Sequence, residues 1–65
     1  MELDRARDML TTQISLGSGY NRNAAKLILA EVMRVHGQKA VDRLIRELDL
    51  EQHFGFKPGT GFSAP

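Results

Sequence analysis

Apolar residues recur at Leu3, Ala6, Leu10 and Ile14, at spacings of three and four, with Met9 beside them and charges filling the other side. That period belongs to an amphipathic helix, predicted here over about residues 2–16. Glu2 and Asp4 at its start suit the positive end of the helix dipole. Gly17-Ser18-Gly19 then makes continued helix costly and turning easy. A second helix is predicted over about 21–36, capped by Asn21 or Asn23 and stopped by Gly37, read as a left-handed C-cap. Ala40, Val41, Leu44, Ile45 and Leu48 form the stripe of a third helix over about 38–50, with Asp42 and Arg46 as a favourable i,i+4 pair. This helix is expected to fray between Leu50 and His53.

The pattern then changes character. From Phe54 onward the chain alternates glycine, phenylalanine and polar residues, which predicts a tail or loop and no fourth helix. Lys57-Pro58-Gly59-Thr60 fits a type II turn, with proline at its second position and glycine at its third, where φ is positive. Phe54 and Phe56 face the same side of an extended segment, so they either cover the base of a small core or form an arm that orders on a partner. The expected architecture is all-α: a small three-helix bundle over 1–53 and an irregular, turn-rich tail over 54–65.

Composition sharpens this picture. With 65 residues and no cysteine, the chain has a marginal core and neither disulfides nor thiolate metal sites to staple it. Packing must supply the stability, within one chain or across a homodimer. The longest apolar run, Leu27 to Ala30, is too short for a membrane span, and the charged start does not resemble a signal peptide. A cytoplasmic location and no membrane partner are therefore expected. The formal net charge of +1 hides an uneven distribution. Arg22, Lys26, Arg34, Lys39, Arg43 and Arg46 stand against only Glu31 and Asp42 in the middle, between acidic ends.

Catalytic equipment is missing from the pattern. His36 and His53, the only imidazoles, lack a partner at the i,i+4 spacing that puts two metal ligands on one helix face. Ser15, Ser18 and Ser63 sit in no nucleophile-elbow context, and Gly17-Ser18-Gly19 lacks the lysine and length of a phosphate loop. The expectation is a non-enzymatic chain with no cofactor, no metal and no small-molecule substrate.

Its surfaces carry more information. At 100° per residue, Ala24, Ile28, Val32 and Val35 form one stripe of the second helix; Leu29 and Met33 extend it on one side and Leu27 on the other. Only Glu31 interrupts an apolar arc of roughly two-thirds of the circumference. Either this helix is the centre of the core, touched on both sides, or Leu29 and Met33 stay exposed and dock a partner. The basic residues offer a rival reading. Arg22, Lys26 and Arg34 lie on a four-residue ladder, while Lys39, Arg43 and Arg46 share a side of the third helix. Such rows are either solvated faces or contacts to nucleic-acid phosphates. A helix-turn-helix centred on Gly37 fails, because Met33 stands where a small residue belongs and Gln38 where an apolar one anchors the turn.

Leu16-Gly17-Ser18-Gly19-Tyr20, the helix after it and Ala40-Val41-Asp42-Arg43-Leu44-Ile45 together resemble a ubiquitin-associated-type three-helix domain over residues 9–48. The resemblance implies a compact bundle that binds proteins through the loop and third helix, with Leu16, Gly19, Tyr20, Leu44 and Leu48 near the contact surface. Joined to the apolar surplus at Leu29 and Met33 and the tail aromatics Phe54 and Phe56, it implies a small regulatory or adaptor module. Its partner would be another protein or a second copy. The alternative is a nucleic-acid-binding regulator using the six central cations.

Overall fold

The computed structural model describes residues 1–17 and 22–62. Among them the chain is all-α, with α1 over Leu3–Ser15, α2 over Arg22–His36, α3 over Gln38–Glu47 and a short α4 over Leu50–Phe54. None of these helices is long and apolar enough to cross a membrane.

Helix α2 packs against both α1 and α3. Ala25, Ile28, Leu29 and Val32 bury one side of it against Ala6 and Leu10 of α1 and Val41, Leu44 and Ile45 of α3. Met1, Leu3, Met9, Ile14, Met33, Ala40 and Leu48 close the margins as half-buried neighbours. A central helix touched from two sides is what lets so short a chain share one core. A polar strut links α1 to α3: Arg7 Nε donates to Glu47 at 2.8 Å, and Arg43 Nε donates to the same carboxylate at 3.0 Å. Those two guanidiniums hold the Glu47 carboxyl below its ordinary value, Arg7 contributing most.

Gly37 separates α2 from α3 with a backbone other than the expected left-handed C-cap. Its N–H closes α2 on Met33 O at 3.0 Å, but its backbone lies at φ 89°, ψ −179° rather than in the left-handed helical region. That combination is essentially confined to glycine. The expected capping by Asn21 lies outside the described residues, and Asn23 is inside α2.

The third helix also ends differently from expectation. Instead of continuing to residue 50 and fraying, α3 stops at Glu47, Asp49 adopts the left-handed conformation (φ 54°, ψ 47°), and α4 follows at once. Core geometry explains the break. Continued as one helix, Leu50 would stand about 240° around the axis from Leu44, away from the apolar stripe. The turn at Asp49 redirects the chain so that Leu50 and Phe54, four apart on α4, are both buried.

The segment beyond α4 is part of the core. Phe54, Phe56 and Phe62 are buried together; the Phe54 and Phe56 rings stack at 5.8 Å, and Phe62 meets Phe56 edge-on at 5.2 Å. Such offset and edge contacts suit the ring quadrupoles. The predicted turn is present: Thr60 N–H donates to Lys57 O at 3.2 Å, and Gly59 carries φ 90°. Asp42 Oδ1 accepts the Gly59 N–H at 2.7 Å and the Gln38 side-chain amide at 2.8 Å, while that amide also donates to Thr60 O at 3.0 Å. Asp42 is thus turned to the tail, and the expected ion pair with Arg46 is not among the described bridges. The Gly59 and Gln38 donors, with a smaller pull from Arg46, hold the Asp42 carboxyl below its ordinary value.

Candidate functional site

Burial redistributes the residues that sequence reasoning assigned to a contact surface. Leu29 and Leu44 are core residues, as are Phe54 and Phe56. Met33 and Leu48 are half-buried against that core. Of the apolar residues in that set, Leu16 stands out into solvent, 63 % exposed at the end of α1. Gly19 and Tyr20 lie outside the described residues. Leu29 is covered because α1 and α3 flank the side of α2 on which it lies, leaving the opposite side to water.

That opposite side is where the exposed apolar surface of α2 lies. Leu27 is 53 % exposed and Val35, expected in the core stripe, is 46 % exposed. Leu27, Glu31 and Val35 occupy successive positions of one i,i+4 row, and Arg34 lies beside it, all within an arc of about 100°. Arg34 grips Glu31 with two bonds, from Nε at 3.1 Å and from Nη2 at 2.6 Å. The guanidinium holds the Glu31 carboxyl below its ordinary value. The row therefore carries an apolar residue at each end and a neutralised charge pair between them.

Glu31 was the signal that could have located this face. A charged residue in a broad apolar arc marks the side that meets water. Its neighbours four before and four after, Leu27 and Val35, should then be read as exposed too.

The six central cations separate into two sets. Arg34 is engaged by Glu31 and Arg43 by Glu47. Arg22 belongs to the tail: its Nε donates to Phe54 O at 3.0 Å, and its guanidinium carbon lies 4.9 Å from the centre of the Phe56 ring. A cation over an aromatic face is attracted by the ring's negative quadrupole. Lys26, Lys39 and Arg46 are exposed, with no ion pair among the described residues. The four-residue ladder of cations on α2 is also interrupted, because Ala30, its third rung, is buried.

His36, at the carbonyl end of α2, donates from Nε2 to Met1 O at 2.7 Å, so this imidazole secures the start of the chain. Among the described residues no cluster of three or more His, Cys, Asp or Glu side chains could hold a metal ion. Comparison of the chain with protein families, with curated proteins and with solved structures finds no match in any of the three.

Proposed function

We propose that this chain is a non-enzymatic regulatory or adaptor module that binds protein through the outer face of α2. One observation carries the reading: Leu27 and Val35 share an exposed row while the remaining large apolar residues of α2 are drawn into or against the core. Leaving apolar area in water forgoes about 25 cal/mol per Å², a sizeable loss for a domain of this length. An apolar row is therefore more economically explained as a surface that another protein covers. The Glu31–Arg34 pair between the two residues would supply orientation, as polar groups do within apolar contact patches.

A photoreactive amino acid placed at position 27 tests this reading in cells that express the chain. The expected result is a discrete protein adduct, absent when the same group replaces exposed Glu51 and lost when Val35→Asp is added. Equal labelling from both positions, or none from position 27, would remove α2 as the contact surface.

A second reading rests on Lys26, Lys39 and Arg46, the central cations left without ion pairs among the described residues. As a nucleic-acid-binding regulator, the protein would use them for phosphate contacts, and binding would weaken steeply with salt. Titration with labelled DNA and RNA at low salt decides it. Absence of resonance shifts at these three residues would eliminate that role.

A further inference from the structure

We propose that the occupant of the α2 outer face is a second copy of this chain, with the two α2 helices crossing antiparallel so that Leu27 of each copy packs on Val35 of the other. The inference rests on the reading of this face as a contact surface and adds what covers it.

The row matches itself. Leu27 and Val35 lie four residues to either side of Glu31. A two-fold axis through Glu31 therefore brings the Leu27 of one helix against the Val35 of the other at both ends, about 12 Å apart along the axis. A surface that is its own complement under such a rotation is what an isologous contact requires. Packing of i±4 rows against each other is also the commonest way for two helices to cross, at about −50°.

Charge decides between occupants. At the axis the two Glu31 carboxylates would meet, which alone would repel. Each copy brings one Arg34 to that point, already bonded to its own Glu31 through Nε and Nη2. A guanidinium has five N–H donors, so the Nη1 end of Arg34 remains to donate to the Glu31 of the other copy. Two carboxylates and two guanidiniums then alternate between two apolar contacts, with the N-terminal ammonium of each copy adding a weaker pull on its Glu31. Leu27 and Val35 offer a nucleic acid or a strongly acidic peptide nothing to pair with and Glu31 would repel it, whereas the same row in reverse direction meets an apolar partner at each end and the shared carboxylate–guanidinium group between them. One helix pair falls short of the roughly 1,200 Å² of a stable interface, so the association is concentration-dependent and in rapid exchange.

Sedimentation of the full chain and two charge-segregated variants tests this. Wild type should sediment near its single-chain mass of 7.3 kDa when dilute, and move toward twice that mass as its concentration approaches about 1 mM, as expected for a small interface. Glu31→Arg and Arg34→Glu, each alone, should stay single at every concentration, because each gathers four like charges at the axis. An equimolar mixture of the two should regain association at least equal to wild type, which also shows that neither variant failed to fold. A wild type that stays single overturns the second copy as occupant, while the adduct at position 27 reports independently on the face. A dimer that persists in both variants alone overturns the pairing through this row. Persistence in Leu27→Asp/Val35→Asp as well places self-association elsewhere on the molecule.

Discussion

Asp42 on α3 accepts the backbone N–H of Gly59 at 2.7 Å, seventeen residues further along the chain. This bond turns the Lys57–Thr60 turn from a solvent loop into a clasp, because the same oxygen also accepts from Gln38, whose amide reaches Thr60 O. Removing the acceptor with Asp42→Ala should leave α1 and α2 intact and loosen residues 57–62. Amide exchange at Gly59 and Thr60 should accelerate several-fold while that of Leu29 and Val32 changes less, the pattern of local opening. Uniform acceleration across the chain would show that the clasp is not a separate unit.

Phe56 links the clasp to α2 through Arg22 above its ring and to the core through Phe54 and Phe62. Phe56→Leu keeps an apolar side chain but removes the ring, and should cost up to about 1.5 kcal/mol. Phe56→Ala should cost about 3–5 kcal/mol, enough to unfold much of a domain this small. Urea unfolding followed by helical circular dichroism measures both. Equal, negligible losses would mean that the aromatic cluster contributes little.

Backbone chemistry at Gly37 makes a separate prediction. A Cβ added there meets no heavy atom within 4 Å, so substitution is penalised by its torsion angles and not by a clash. Gly37→Ala should destabilise by about 1–3 kcal/mol. A chemically synthesised chain with D-alanine at the same position should recover that loss, since D-residues accept positive φ. Equal losses from both enantiomers would contradict a torsional origin.

Acid should weaken the fold through the carboxylates that accept hydrogen bonds. Glu31, Asp42 and Glu47 are held below ordinary values of 4.5, 3.8 and 4.5 by their donors. A depressed carboxyl adds stability above its unfolded-state value and loses it as pH falls through the folded-state value. The melting temperature should therefore be level near neutrality, begin to fall near pH 4.5 and continue falling below 3.8. Glu47→Gln should flatten part of that decline. A melting temperature that rises on acidification would contradict these bonds.

Much of this fold was legible because helix periodicity is a local property. The three longer helices follow from apolar spacings, Gly37 from its place between two stripes, and the type II turn from Pro58-Gly59. What escaped was set at a distance. Aspartate tolerates the left-handed region better than most residues, but Asp49 alone does not call for a turn; the pull of Leu50 and Phe54 toward the core explains it. The pairing of Arg22 with Phe54 and Phe56 spans more than thirty residues, and Asp42 chose the tail over its helical neighbour Arg46. The exposed apolar side of α2 escaped for a similar reason. An apolar arc of roughly two-thirds of a helix leaves open which part its neighbours cover, and α1 and α3 cover Leu29 while leaving Leu27 and Val35 in water.

The outer row of α2 is proposed as a protein-contact surface, first of all for a second copy. Its most direct test is an isotope-filtered nuclear Overhauser experiment on a concentrated mixture of labelled and unlabelled chains. Within one chain Leu27 and Val35 are separated by about 12 Å of helix, so a methyl contact between them must come from two molecules. Intermolecular signals between Leu27 and Val35 methyls that vanish on dilution are the expected result. Intermolecular signals confined to other residues, or none at millimolar concentration, would contradict it.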